Sequence, residues 1–299
     1  MKVAVFGGGG FLGKYLVKEL LARNYEVTIL DKAQNWDFLS ANIEFLKTDI
    51  MDRDLVKSQI KKGQFDFIYN LAGFANLEQA TESPYLTMQL NIIGNINILD
   101  ACITENIKRF IYASSAYAMS NKGSFYGISK LSSEKITEEY QNKYNLSFTI
   151  LRYGSVYSED DFDNNYIYKT VEKAIKSGLI EHGGDGNEMR EYIHASDAAK
   201  LSVDVIEDEK FVNDHVILTG AEKMKRMDLF QMINEIHGND IVIKMNVGEY
   251  KNHYNYTPYS HTPTLSKKLI SNPHIDMGQG ILECIKAVYR NHKELEESR

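Results

Sequence analysis

Cysteine occurs only twice in this chain, at Cys102 and Cys284, each in a run of apolar, helix-like character (ILDACITEN and GILECIKAVY). A thiol in such a setting packs as a small hydrophobe. A disulfide framework is therefore not expected, and a reducing cytoplasm is the natural compartment. Basic charge is also scarce. The net charge is −7 and the pI about 5.7, whereas neutralising a phosphate backbone needs a basic surface, so no nucleic-acid partner is expected. No stretch approaches the roughly 20 apolar residues of a membrane helix. The first apolar run, Val3-Ala4-Val5-Phe6, stops at four glycines where a signal peptide would continue. HExxH and Cys-x-x-Cys patterns are missing and the eight histidines are scattered, which speaks against a metal centre. Internal repeats and low-complexity segments are missing too.

What is present is an ordinary globular composition, 43% apolar and 25% charged over 299 residues, enough for one large domain or two unequal lobes. The first half alternates β-rich runs with amphipathic stretches. Strands are expected at 2–6, 26–30, 43–47, 66–70, 109–114 and 147–152, with helical runs between them such as FLGKYLVKELLAR, where Leu12, Leu16, Leu20 and Leu21 share a face. Such alternation predicts an α/β fold: right-handed βαβ units forming a Rossmann-type, doubly wound parallel sheet. After about Arg152 the rhythm changes. The polar run SEDDFDNNYIYK, the cluster Gly183-Gly184-Asp185-Gly186, one more strand at 216–220 and helices from about Asp228 and Gly278 suggest a smaller, mixed C-terminal substrate-binding lobe. We assign 1–155 plus about 190–222 to the cofactor lobe, and about 156–189 plus 223–299 to the other. The tyrosine- and histidine-rich segment 247–264 reads as loop.

Gly7-Gly8-Gly9-Gly10-Phe11-Leu12-Gly13 follows a strand and opens a helix, the context of a dinucleotide fingerprint. Its glycines allow a tight turn and let the pyrophosphate reach the backbone amides, while the helix N-terminus adds donors and partial positive charge. Asp31 ends the second strand 18 residues after Gly13, where a carboxylate can bind the adenosine ribose hydroxyls. A 2′-phosphate would meet its charge, so NAD is favoured over NADP, with Lys32 beside it softening that preference. Asp49, followed by Ile50, can accept from an adenine amino group or cap a helix.

Tyr126 and Lys130 stand four apart in the helical run FYGISKLSSEK, so both can face one pocket. A phenol with a reference pKa of about 10 is mostly protonated at neutral pH, and a nearby ammonium favours its phenolate. A tyrosine tuned in this way can take a proton from a sugar hydroxyl as hydride leaves for a nicotinamide. The preceding strand ends in Ser114 and Ser115, at the end of the sheet where open α/β folds bind ligands. A strand-to-loop cap suits Ser114 better than Ser115, which can orient the reacting hydroxyl.

Taken in order, these motifs resemble the extended short-chain dehydrogenase/reductase family, in its NAD-dependent nucleotide-sugar epimerase/dehydratase branch. The resemblance implies a phosphate loop at Gly7, Gly10 and Gly13 with Phe11 and Leu12. It implies a cofactor-lining strand end at Leu71, Ala72 and Gly73, and a helix on the sheet beginning at Asn91. It further implies cofactor contacts from Asp31, Lys32, Asp49, Ile50, Asn91, Ser114, Tyr126, Lys130 and Tyr153, and a catalytic trio of Ser115, Tyr126 and Lys130. Arg190 resembles the arginine that binds the substrate diphosphate, a role suited to its forked donors; otherwise it reads as a surface salt bridge with Glu188 or Glu191. Ser155 falls among the substrate contacts, where epimerases commonly carry asparagine. His194 reads as structural.

Departures narrow the function. Dehydratases of the family place Asp-Glu after the catalytic hydroxyl, and decarboxylases a glutamate; Ala116-Tyr117 stand here instead. The leading expectation is therefore an NAD-dependent nucleotide-sugar epimerase acting at C4 through a transient 4-keto intermediate, with a UDP-sugar favoured. The alternatives are an NAD(P)H-dependent 4-keto-sugar reductase and a non-catalytic dinucleotide sensor. The resemblance also implies a homodimer paired through helices near 84–105 and 125–143.

Overall fold

The computed structural model describes residues 1–33, 43–160, 165–221, 223–246, 248, 253, 255, 258, 267–270 and 274–297. The elements are β1 (Lys2–Phe6), α1 (Phe11–Ala22), β2 (Glu26–Asp31), β3 (Glu44–Lys47), α2 (Arg53–Gly63), β4 (Phe67–Asn70), α3 (Leu77–Glu82), α4 (Pro84–Met88) and α5 (Gly94–Cys102). There follow β5 (Arg109–Ser115), α6 (Ser124–Tyr144), β6 (Phe148–Tyr153), β7 (Ser155–Tyr157), α7 (Tyr166–Ser177), β8 (Leu179–His182), β9 (Met189–His194) and α8 (Ala195–Glu207). The remainder is β10 (Asp214–Thr219), β11 (Lys223–Lys225), α9 (Arg226–His237), β12 (Val242–Met245), β13 (Lys267–Ile270) and α10 (Met277–Glu297).

Among the described residues the main sheet has eight strands in the order β13-β10-β6-β5-β4-β1-β2-β3, every neighbouring pair parallel. Its central strands are apolar on both faces because helices cover both, the condition for an all-parallel sheet. The period of two is visible in the cores. Val3, Val5, Ile29, Tyr69, Ile111 and Leu151 pack with Leu16, Val17 and Leu20 of α1 and Ala198 and Val203 of α8. The alternate residues Ala4, Phe6, Leu30, Ile68, Phe110 and Ile150 pack on the other face with Val56 and Ile60 of α2 and Ile98 and Leu99 of α5. The strand order reverses between β1 and β4, the switch point at which doubly wound sheets bind ligands.

A third core joins α7, α9 and α10 through Ile167, Tyr168, Val171, Phe230, Ile233, Ile281 and Val288. Beside it lie the three-stranded sheet β11-β9-β7 and the parallel pair β12-β8. These short strands, and β13, carry no pattern that stands out from their surroundings in sequence. The helix expected from Asp228 begins at Arg226, and the one expected from Gly278 to Tyr289 runs from Met277 to Glu297. Asp52 caps α2, accepting from the Leu55 amide at 3.0 Å, so the alternative of Asp49 as that cap does not hold. Cys102 and Cys284 are buried in separate cores. Most of 247–264, including the tyrosines of 250–259, lies outside the described residues. Among the described residues no helix is long and apolar enough to cross a membrane.

Candidate active site

A cleft of about 720 Å³ opens at the C-terminal ends of β1, β4, β5 and β6. The sequence-predicted residues Gly7, Gly10, Phe11, Leu12, Gly13, Leu71, Gly73, Ser114, Ser115, Tyr126, Lys130, Tyr153, Ser155 and Arg190 all line it.

The glycine loop is tight for steric reasons. Gly7 sits at φ +75°, and a Cβ there would meet the Ala72 amide nitrogen at 2.6 Å. A Cβ at Gly13 would lie 2.2 Å from the Gly7 carbonyl oxygen. The backbone thus folds against the end of β4 and against itself, a shape only glycine allows. Helix α1 starts here with no side-chain cap, so its first-turn amides have no acceptor within the helix and are oriented for an anion. This cradle fits a dinucleotide pyrophosphate. Asp31 ends β2 and accepts from the Gly9 amide at 3.0 Å, which ties the carboxylate to the loop.

Several residues assigned to the cofactor are not among those lining the cleft. The Lys32 ammonium forms an exposed ion pair with Asp49 at 3.0 Å. Against some desolvation, the Met51 amide and Lys32 hold Asp49 below the usual carboxylate range. Ile50 is buried under α5, and Ala72 is the backbone against which Gly7 packs. Asn91 is buried and accepts from the Phe74 amide at 2.6 Å; its Nδ2 donates to the Phe74 carbonyl at 3.1 Å and to Ser129 Oγ at 2.8 Å. It clamps the loop after β4 from behind and is not among the residues lining the cleft.

The capping role expected of Ser114 falls to Ser115. Ser114 Oγ donates to the buried Glu134 carboxylate at 2.5 Å. Ser115 is the one that caps, accepting from the Tyr117 amide at 3.3 Å to start a short 3-10 turn over Ala116–Met119. Ser115 still lines the cleft, and its hydroxyl proton is not used by that bond.

Tyr126 and Lys130 lie one turn apart on α6. The Lys130 ammonium donates to the Ala113 carbonyl at 2.8 Å and lies 5.9 Å from the centre of the Tyr126 ring. Burial pulls Lys130 down to about 8, opposed by the charge of Glu134. Tyr153, which also lines the cleft, gives or takes a hydrogen bond with Ser202 at 2.7 Å.

Arg190 is 2% exposed, which replaces the alternative of a surface salt bridge; its Nη1 donates to the Met189 carbonyl at 2.8 Å. No motif announces the other residues around it. Arg226, at the start of α9, donates to the Tyr192 hydroxyl at 2.5 Å and stacks on the Tyr166 ring at 3.9 Å. Tyr117 meets Tyr126 edge-on at 6.1 Å and hydrogen-bonds His253 Nδ1 at 2.7 Å. Burial, helped by Arg190 and Arg226, pushes His253 down to about 4. Arg226, Tyr117 and His253 carry no motif, and only their juxtaposition around the cleft marks them. His194 does not line it. Its Nδ1 bonds Ser196 at 2.8 Å and its Nε2 bonds Glu159 at 3.1 Å, a bracing arrangement. Glu283 brings a third donor near that pair, all within 4.8 Å of one another.

The sequence model of the NAD dependent epimerase/dehydratase family matches residues 3–220. A Methanocaldococcus jannaschii protein assigned as a UDP-glucose 4-epimerase is 26% identical, over 97% of this chain and 99% of its own length. A UDP-N-acetyl-alpha-D-glucosaminuronate decarboxylase of Bacillus cytotoxicus is 27% identical over 78% of both chains. Among solved structures, UDP-glucuronic acid 4-epimerase from Bacillus cereus, in complex with UDP-glucuronic acid and NAD, superimposes with a TM-score of 0.85. It covers 97% of this chain and 100% of that one, at 19% identity, a likeness of fold. With its family match running from β1 through β10, and with the cleft assembled at the switch point, the chain belongs to the NAD-dependent epimerase/dehydratase family.

Proposed function

We propose that this protein is an NAD-dependent nucleotide-sugar 4-epimerase acting on a UDP-sugar. The observation that carries the proposal is the single cleft shared by the glycine cradle, the Ser115–Tyr126–Lys130 trio and the Arg190–Arg226 pair. Its two ends suit the two halves of the chemistry. Gly7, Gly10 and Gly13, with the α1 amides, suit the cofactor pyrophosphate, and Lys130 suits the nicotinamide ribose. Asp31 suits the adenosine ribose hydroxyls. Arg190 and Arg226, both nearly buried, suit the substrate diphosphate, whose charge would answer two guanidinium groups in a low-dielectric setting.

Bound NAD supplies a two-way hydride carrier, which makes an epimerisation redox-neutral. The residues handle the proton. Tyr126 as phenolate takes the C4 hydroxyl proton, Lys130 stabilises that phenolate by its charge, and Ser115 holds the oxygen as it becomes a carbonyl. The 4-keto sugar turns over in the cleft, and Tyr126 returns the proton to the oxygen of the inverted alcohol. We extend the proposal to the lobes, with 1–155 and about 190–222 holding cofactor and the remainder holding substrate. It extends also to a homodimer, supported by the exposed apolar residues Tyr85, Leu86, Ile93, Phe125, Ile128 and Leu131 on and around α4 and α6.

NMR of the purified protein with UDP-, dTDP-, GDP- and CDP-sugars, without added cofactor, tests the activity. A C4 epimer from a UDP-sugar is the expected result. Turnover seen only with 4-keto sugars and added NADH or NADPH would overturn it in favour of a reductase.

A further inference from the structure

Tyr126, Lys130 and Glu134 follow one another at four-residue intervals on α6, one turn apart on one face. The Glu134 side chain is fully buried. Burying a carboxylate is costly unless its charge is met and its lone pairs are filled. Both conditions hold. Arg152 of β6 donates from Nε to Oε1 at 2.9 Å and from Nη2 to Oε2 at 2.6 Å, a forked pair, and Ser114 of β5 donates to Oε1. His215 of β10 approaches Oε2 at 3.9 Å and lies 3.1 Å from Glu138, which Lys135 in turn contacts. One carboxylate therefore joins α6 to β5 and β6 directly beneath the reacting end of the cleft.

Two consequences reach the cleft. Ser114 and Ser115 are adjacent on β5 and point to opposite faces, so a fixed Ser114 sets the direction of Ser115. Lys130 is 5% exposed, and the titratable groups facing it are Tyr112 of β5 and Tyr126 and Glu134 of α6. Glu134, one turn further along α6, is the carboxylate whose charge opposes the desolvation of the ammonium.

We propose that Glu134 is a positioning residue: its carboxylate sets the Ser114–Ser115 strand end and supplies the counter-charge that keeps Lys130 an ammonium beside Tyr126. It acts through these neighbours and is not among the residues that line the cleft. The inference rests on the reading of Tyr126 and Lys130 as the proton-transfer pair.

The test is a pH titration of the Lys130 side chain by NMR in the full-length protein carrying 13C-lysine, with the signal assigned by its loss in Lys130→Met. In the parent protein the midpoint is expected near 8. In Glu134→Gln, which keeps the shape and the bond to Ser114, the midpoint falls below that of the parent, because removing a buried counter-charge disfavours the cation. The alkaline limb of kcat on a UDP-sugar substrate moves down with it while KM holds. A folded Glu134→Gln protein with an unchanged Lys130 midpoint overturns the proposal, whatever its activity. If Glu134→Gln does not fold, Glu134→Gln/Arg152→Met carries the test, since swapping a buried ion pair for uncharged groups is often tolerated. Its midpoint must still fall, and an unchanged one overturns the proposal equally. Full turnover in Tyr126→Phe would instead sink the underlying reading, and the Lys130 titration separates the two failures.

Discussion

Replacing Gly13 by alanine adds one methyl group to the tightest point of the glycine loop. That Cβ would stand 2.2 Å from the Gly7 carbonyl oxygen and 2.8 Å from Gly8 Cα. Relief requires a parting of about 1 Å, to restore ordinary contact distances of 3 Å and more. Nothing flexible is available to give way, since every clashing atom is backbone and Gly7 is itself pressed against Ala72. Overpacking of this kind costs about 1–3 kcal/mol. If that strain falls on the NAD-binding conformation, affinity drops by roughly 5- to 150-fold, at about 1.4 kcal/mol per tenfold. The control is Gly178→Ala at the end of α7. Gly178 also has a positive φ, +64°, but its Cβ would meet nothing within 4 Å. It carries a left-handed backbone cost of about 1–2 kcal/mol with no route to the cleft. Calorimetric titration with NAD and thermal unfolding are the assays. Gly13→Ala should lose NAD affinity, whereas Gly178→Ala should lose stability alone. Equal NAD affinity in Gly13→Ala and the parent would refute the argument that backbone approach shapes this loop for the cofactor.

Tyr126→Phe should lower kcat by roughly 10²- to 10⁴-fold, the usual worth of a placed acid–base group, with NAD binding unchanged by titration. Near-parental turnover would remove Tyr126 from the chemistry. Glu159 is held down at about 2, chiefly by its hydrogen bond to His194, against desolvation. A depressed carboxylate stabilises the fold above its unfolded pKa and loses that contribution as pH falls through the folded value. The melting temperature of Glu159→Gln should thus lie below the parent's at pH 6–7, with the gap closing from about pH 4.5 toward 2; a gap independent of pH would contradict this. Ile128 on α6 is 56% exposed. Ile128→Glu should halve the mass measured by light scattering if that face pairs two copies, and an unchanged dimer would place the interface elsewhere.

The long elements were legible because their signals are local. Runs such as KVAVF and FTILRY are the short continuous runs of strands buried on both faces, and α1 carries the helical period across Leu16 and Leu20. The strands β7, β8, β9, β11, β12 and β13 were not, because they lie outside the regular strand–helix alternation and their pairing comes from distant partners. The same divide runs through the site. Gly13 and the Tyr126–Lys130 spacing are contiguous motifs. Arg226, Tyr117 and His253 reach the cleft from three separate stretches of chain. Ser114 and Ser115 show where local reasoning misled. Both hydroxyls at a strand end look alike in sequence, and only the presence of Glu134 below one and the Tyr117 amide beside the other assigns their bonds.

By itself the amino-acid sequence determined the alternation of strand and helix, the glycine turn after β1 and the helical spacing of Tyr126 and Lys130, because each depends on residues within a turn or two of one another. Tertiary structure alone decided that Asn91 clamps a loop, that Arg190 and Arg226 are both buried where they line the cleft, and that Glu134 is sealed between Ser114 and Arg152. Those outcomes depend on which side chains share a low-dielectric interior, and burial and charge pairing are set by neighbours far apart along the chain.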